Sequence, residues 1–401
     1  MTAMSPRQLP SEAPQHAADY IARARELRPL LEAAAPRIEA ARELTADVLD
    51  ALHRAGLFRL LLPRSVGGAE LAPWTYVEVI EAVAMADAST AWCLGQNGGC
   101  AMSAAYLAPD VAAEVFGDPR GVLAWGAGAV GTATVVDGGY RASGTWQFAS
   151  GSRHATWLGG HCLVAERDGA LRLAADGTRA ERTMLFPRAR ATISDVWHVV
   201  GLKGTGSDTY AVADLFVPEA YSLDRFSAAE RREPGRLYRF TSSQLYSAGF
   251  AGVALGLARA ALDAFVDLAR NKRPRGTRAT LRDNAVTQSE VGLAEARLSS
   301  ARSYVLQTLR EVWEALSETG ELNLDQRMAI RLASTFAIQE ARDVVDVAYH
   351  SAGSTGIFES GPFERRFRDM HAVCQQVQGR SSHFETVGQH LLGLEPDLLF
   401  V

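Results

Sequence analysis

The hydrophobic period of this 401-residue chain changes twice, and no other feature limits its fold as tightly. From about Ala17 to Phe116 apolar residues recur at helical spacing. Ala46, Leu49, Leu52, Gly56 and Leu57 keep that spacing with Thr45 placed to cap, and Pro73 opens a helix through Tyr76, Val79, Ile80 and Val83. From Gly121 to about Val217 the pattern turns to alternation and β-branched runs. Thr132–Val136 stops at Asp137-Gly-Gly139, a hairpin signal, and Tyr140–Phe148 alternates as a half-buried strand does. Trp157–Val164, Arg182–Phe186 and Tyr210–Val217 read as further strands, and such a run predicts an antiparallel barrel or sandwich.

After the charged stretch Ala228–Gly235 long helices return. Ala294, Leu298, Ala301, Val305, Leu309, Val312 and Leu316 form one stripe, and Leu324, Met328, Leu332, Phe336, Ala341, Val345 and Ala348 a second. Side-by-side helices of that length predict a bundle. The predicted class is therefore α+β, mostly α. An N-terminal helical domain spans 1–119, a central β-barrel or sandwich 120–235, and a C-terminal helical bundle 236–401.

Composition narrows the function. Charged residues are 22% and apolar residues 47%, too apolar for disorder. With 41 Lys+Arg against 46 Asp+Glu, the broad positive field of a nucleic-acid binder is missing. The four cysteines (Cys93, Cys100, Cys162, Cys374) are scattered, and the nine histidines lack metal-ligand spacing, so no metal site is expected. The N-terminus carries no apolar leader pattern, which predicts a cytoplasmic protein without a membrane partner. The uncharged run Ala88–Pro109 reads as a buried helix with a bend.

Gly126-Ala-Gly-Ala-Val-Gly131 spells a dinucleotide fingerprint, but a strand follows where that site needs a helix. Hydrolase elbows, zinc-protease helices and phosphate loops do not occur. Phe148-Ala-Ser150-Gly-Ser152 places an aromatic wall beside small hydroxyls, as a flat heteroaromatic cofactor requires. Gly201–Asp208 supplies backbone N–H groups and hydroxyls before a strand. Either segment could equally be a structural turn. His371, after Arg368-Asp-Met370, is the one histidine in a dense polar cluster, and a surface or core histidine is the plainer reading.

Taken together, Leu57–Gly68, Asp87–Trp92, Val136–Gly144 before Trp146, Leu215–Pro218, Ala352–Gly356, Pro362–Arg365 and Arg368-Asp369 resemble the acyl-CoA dehydrogenase superfamily over nearly the whole chain, in order. The resemblance implies a four-helix C-terminal domain, a homotetramer, and a flavin between the β-domain and the terminal helices. It implies that Ser150 hydrogen-bonds near flavin N5 with Phe148 beside the ring, and that Trp125, Gly126 and Ser207 lie in other flavin-contacting turns. Arg278 and Gln288 resemble a pair that reaches the dinucleotide part of FAD across a subunit interface. Thr280-Leu281 replaces the usual Phe-Gly there, leaving FAD and FMN both open.

Dehydrogenases of this superfamily need a carboxylate base, and its usual place falls near Val377. The ending Gln375–Gly388 looks more like the two-component, group D, flavin-dependent monooxygenase branch. Those proteins take reduced flavin from a separate reductase, which alone uses NAD(P)H, and with O2 hydroxylate aromatic or heteroatom substrates. That branch uses a histidine in the first helical domain, where Cys100 or Asn97 stands here, and another after Arg-Asp, where Gln376 or His371 stands. The expectation is an oxygenase acting on a small aromatic substrate, with Ser150 tuning flavin N5, His371 as acid or base, and Ala88–Tyr106 walling the pocket. The alternatives are an acyl-CoA or acyl-carrier dehydrogenase or oxidase with a displaced base, and a non-enzymatic relative.

Overall fold

A computed structural model describes residues 13–174 and 176–401. Six helices come first: α1 (Ala13–Glu26), α2 (Arg28–Ala41), α3 (Ala46–Arg54), α4 (Pro73–Ala84), α5 (Ala88–Ala101) and α6 (Pro109–Phe116). Pro73 stands in the first turn of α4 as the spacing predicts, and Thr45 occupies the N-cap of α3 without a capping hydrogen bond from its side chain. The uncharged run folds as α5 and then tightens into a 3-10 segment, Met102–Tyr106, which is the expected bend. Asp87 starts α5 by accepting from the Thr90 N–H at 2.7 Å.

The middle of the chain forms β1 (Leu123–Trp125), β2 (Gly131–Val136), β3 (Gly139–Ala149), β4 (Trp157–Ala165), β5 (Glu181–Pro187), β6 (Thr192–Ser194), β7 (Asp208–Pro218) and β8 (Ser222–Leu223). They make one sheet ordered β6-β7-β3-β2-β4-β5-β8, with β1 beside β4. The expected all-antiparallel arrangement is corrected here: β1 and β2 both pair parallel with β4. Alternation reports which face of a strand is buried but carries nothing about a partner's direction. The sheet coils so that the β7 Tyr210 hydroxyl reaches the Gly159 carbonyl of β4. Trp146 fills the enclosed space at 0% exposure. A Cβ on Gly131, Gly144 or Gly160 would stand within 2.6 Å of its ring, so those glycines shape its socket. Burying one such ring removes about 200 Å² from water, worth about 5 kcal/mol. The spelled fingerprint thus ends in a strand and a tryptophan socket.

Five helices follow: α7 (Ser242–Asn271), α8 (Ala285–Thr319), α9 (Leu324–Ser351), α10 (Glu364–Gln375) and α11 (Ser382–Leu391). The α8 stripe is buried from Ala294 to Leu316. On α9 the stripe departs from expectation: Leu332 and Phe336 are only half-buried, while Ile330, Ala333 and Ala337 take the core face. The α7 helix is the axis of the molecule. Its most apolar window has a mean hydropathy of 1.5 and is 78% buried inside the protein, as befits a core helix. A Cβ on Gly256 would stand 2.2 Å from the Glu81 carbonyl, so its absence lets α4 and α7 touch. Arg302 then ties α8 to α4 through Glu81 at 2.8 Å and Glu78 at 3.2 Å.

Candidate functional site

The end of β3 leaves regular pairing, with a register shift between Trp146 and Ala149. Phe148 there has φ of 60°, the left-handed region that bulky residues avoid. Leu202, on the facing loop, has φ of 51°. Such residues cost about 1–3 kcal/mol each and cluster where a site demands them. Phe148 is held outward at 61% exposure, edge-on to Trp197 at 6.1 Å, with Val196 and Val200 also exposed beside it. This is an apolar platform open to solvent.

Behind the platform runs a chain of buried hydrogen bonds. Trp92 Nε1 donates to Ser150 Oγ at 3.0 Å; Ser150 and Ser207 hydroxyls lie 2.7 Å apart, as do those of Ser207 and Thr205. Thr205 donates to the Leu202 carbonyl at 2.9 Å, which also accepts from Trp197 Nε1 at 3.1 Å. An indole N–H only donates and a carbonyl only accepts, so every hydrogen in between is assigned. Ser207 donates to Thr205, and Ser150 donates to Ser207. Each serine hydroxyl keeps one free lone pair and no free hydrogen. Trp92, Ser150, Thr205 and Ser207 are all buried.

The loop bearing Ser207 is clamped from both sides. Arg153 pairs with Asp208 at 2.7 Å and with Asp195 at 3.0 Å. On the other side the Leu202 N–H donates to Asp369 of α10 at 2.6 Å, where Gly201 lies against the Arg368 backbone. Burial pushes the Asp369 carboxyl up to about 7, and the neighbouring Asp87 adds to the rise. Under the Ser150–Ser152 turn, Asn97 donates to the Leu123 carbonyl at 3.1 Å, so its oxygen faces His154 Nε2 at 3.1 Å as acceptor. Burial holds the His154 imidazole neutral, pulling it down to about 3.

The other face of α5 looks at α7. Trp92 stacks on Phe250 at 3.9 Å, and Phe250 stacks on Tyr246 at 5.8 Å. The Tyr246 hydroxyl lies 3.4 Å from Cys100 Sγ and from Gln96 Nε2. Burial pushes the Cys100 thiol up to about 12 and the Tyr246 phenol well above its ordinary value, so both keep their hydrogens.

The structure brings together Ser150, Ser207 and Phe148, with Trp125 and Gly126 close behind. The Gly126 N–H donates to the Tyr210 hydroxyl at 3.1 Å, and Trp125 is buried against the His161 edge at 4.9 Å. Asn97 is bound at both ends beneath the turn, and Cys100 lies on the α7 side. His371 is elsewhere. Its Nε2 meets Asp346 of α9 at 2.9 Å, its ring packs on Phe367 at 4.3 Å, and Asp369, not His371, faces the Ser207 loop. Gln376 caps its own turn, accepting from the Gln378 N–H at 2.6 Å. Val377 is half-buried. Arg278 is exposed on the connection from α7 to α8 and Gln288 in the first turn of α8, where it donates to the Arg282 carbonyl at 2.9 Å. The 21 residues from Phe250 to Asn271 place that connection about 30 Å along α7 from the site. Sequence reasoning missed Trp92, Thr205, His154 and Tyr246 as site residues. Only Ser150-Gly-Ser-Arg-His154 carried a local signal, a histidine one turn after the serine.

A flat heteroaromatic ring fits this site. The platform offers it an apolar face, and Ser150 offers an acceptor at its edge.

Comparison with known proteins adds a second line. Residues 21–109 match the family model for the acyl-CoA dehydrogenase N-terminal domain, and residues 248–379 match that for the acyl-CoA dehydrogenase C-terminal domain. The chain is 32% identical over 359 residues to an indole-3-acetate monooxygenase of Pseudomonas putida, covering 88% of this chain and 89% of that one. It is 29% identical to an FADH2-dependent resorcinol hydroxylase, oxygenase component, of a Rhizobium species, covering 92% of each. Among solved structures, the 3-HSA hydroxylase of Rhodococcus sp. RHA1 superposes with a TM-score of 0.86 at 27% identity, over 96% of this chain and all of the other. XiaF of a Streptomyces species, in complex with FADH2 and glycerol, superposes with 0.87 at 25% identity, over 97% and 98%.

Proposed function

This chain belongs to the acyl-CoA dehydrogenase family, in its flavin-dependent monooxygenase branch, and from that premise we propose how its own residues serve an oxygenase component. The protein uses reduced flavin and O2 to hydroxylate a small aromatic substrate. When bound, the flavin supplies the means of activating dioxygen; the chain supplies the surroundings.

Phe148 and Trp197 seat the ring. Ser150 turns its free lone pair to the ring edge, where N5 of a reduced isoalloxazine carries a hydrogen that needs an acceptor. Asn97, neutral His154, Arg153 and Asp369 hold the two turns so that Ser150 and Ser207 stay within reach. The buried stack Trp92–Phe250–Tyr246 closes the α7 side of Ser150 to water, and water exclusion protects reactive oxygen chemistry.

The observation that carries this reading is the buried Ser150 hydroxyl beside the outward Phe148, with a lone pair to offer and no hydrogen to give. Asp87 accepts from Thr90 and Asp369 from Leu202, so both carboxylates brace their own turns. We extend the proposal to a flavin reductase partner, a cytoplasmic setting and a homotetramer. The exposed apolar tail supports assembly, with Leu391 at 75%, Leu392 at 79% and Leu399 at 66% exposure. So does the position of Arg278, which lies beyond the far end of α7 from Ser150 of its own chain.

The test mixes protein with reduced FMN or FAD, labelled O2 and an aromatic substrate, and weighs the product. One labelled oxygen atom in the product is the expected result. Anaerobic bleaching of oxidised flavin by an acyl thioester would instead restore the dehydrogenase.

A further inference from the structure

Asp369 of α10 is a carboxyl buried at 5% exposure that, among the described residues, makes no ion pair. Its neighbour Arg368 takes the ion pairs instead, with Glu39 of α2 at 2.6 Å and Glu364 at 2.7 Å. An unpaired carboxyl is costly to bury. Docking the Gly201–Ser207 loop does not require it, because that loop is fastened by other means. Arg368 Nη1 donates to the Val200 carbonyl at 2.6 Å, and Lys203 pairs with Glu39 at 3.2 Å. A Cβ on Gly201 would stand 2.1 Å from the Arg368 carbonyl, and one on Gly204 2.1 Å from Ile38, so the loop already lies tight on α10 and α2.

What sets Asp369 apart is the amide it holds. Leu202 has φ of 51° and ψ of 34°, a left-handed turn that a leucine adopts only under constraint. Its N–H donates to Asp369 at 2.6 Å, and its carbonyl ends the hydroxyl chain by accepting from Thr205 at 2.9 Å. The dihedrals that Asp369 fixes on one side of the residue thus aim the carbonyl on the other. That carbonyl is what makes the chain run one way. Were it turned aside, Thr205 could donate to Ser207 and Ser207 to Ser150, with Ser150 left holding a hydrogen to give.

We infer that Asp369 is a positioning residue for the flavin site: through Leu202 it fixes the order of hydrogens along Thr205, Ser207 and Ser150, so that Ser150 meets the ring as an acceptor. This rests on the oxygenase reading above and names what sets the polarity of its site. Asparagine at 369 offers Leu202 the same oxygen, whereas leucine offers none.

The test is the affinity of the full chain for reduced and for oxidised FMN, titrated without oxygen or substrate, with FAD used if FMN does not bind. The native protein should favour the reduced form about tenfold, as one good hydrogen bond allows. Asp369→Leu should remove most of that preference, and Asp369→Asn should keep most of it. Should Asp369→Leu not fold, Asp369→Ala carries the same expectation, and Thr205→Val, which cuts the chain one link on, should match it. Ser150→Ala should remove the preference too, with no further loss when Asp369→Leu is added. The role of Asp369 falls if the native protein has no preference, if Asp369→Leu retains it, if Asp369→Asn loses as much as Asp369→Leu, or if the losses from Asp369→Leu and Ser150→Ala add. Product from labelled O2 is scored separately. The expected ratios without oxygenated product would keep Asp369 in this role and remove the hydroxylase; oxygenation with a ratio that Asp369→Leu does not move would do the reverse.

Discussion

Two polar clusters near the terminal helices look equally chemical on paper and are built differently. Around Ser150 every group is buried, and each partner comes from far along the chain: Trp92 is 58 residues away and Ser207 is 57. Around His371 the partners are α9 and its own helix, and the His371 side chain is 37% exposed. The first cluster has one hydrogen-bond arrangement. The second is a half-solvated ion pair of the kind that contributes about 0–1 kcal/mol. Positional demand is concentrated at Ser150, and a motif's density of polar letters does not report it.

The sharpest way to break this contrast is Ser150→Ala. It strands the Trp92 N–H and removes the acceptor at the platform edge, a loss of about 1–3 kcal/mol, so hydroxylation should fall roughly ten- to hundredfold. Product yield per reduced flavin measures it. Trp92→Phe keeps the stack on Phe250 but leaves Ser150 one donor short, and a smaller loss of up to about tenfold is expected from the same assay. His371→Ala should lower the rate less than either while leaving flavin affinity intact; a drop as large as that of Ser150→Ala would overturn the ranking.

The smallest effect is on stability. Asp369 holds its proton to about pH 7 in the folded protein, whereas in the unfolded chain it loses it near 4. Its burial therefore weakens the fold progressively as pH climbs from about 4 to 7. His154 acts oppositely: the unfolded ring takes a proton near 6.5 and the folded one only near 3, so stability drains away as pH falls through that range. Asp369→Asn should leave the melting temperature falling more steeply toward acid, and His154→Gln should flatten that fall. Thermal melts across pH separate the two.

Much of the architecture could be read from residue periods, because burial of one face imposes them. Thr45 and Pro73 mark their helices, and Tyr140–Phe148 its strand, by local chemistry alone. The parallel pairing of β2 with β4 could not be read, since register and direction depend on contacts far apart in sequence. The same limit applies to the site. Ser150 and Phe148 announce themselves by their neighbours in the chain. The Trp92–Ser150 bond and the bracing of Asn97 by His154 exist only once α5 meets the end of β3. His371 attracted notice for its sequence neighbours, yet folding turns it toward Asp346.

The one-way order of hydroxyl hydrogens from Trp92 to Leu202 leaves an acceptor, and no donor, at the platform edge. Ser150 can receive a hydrogen and has none to give unless Ser207 and Thr205 reverse and Leu202 is left with the Trp197 hydrogen alone. An isoalloxazine that has surrendered its N5 hydrogen would meet that oxygen lone pair to lone pair. A flavin held there would be gripped more firmly with its N5 hydrogen than without it.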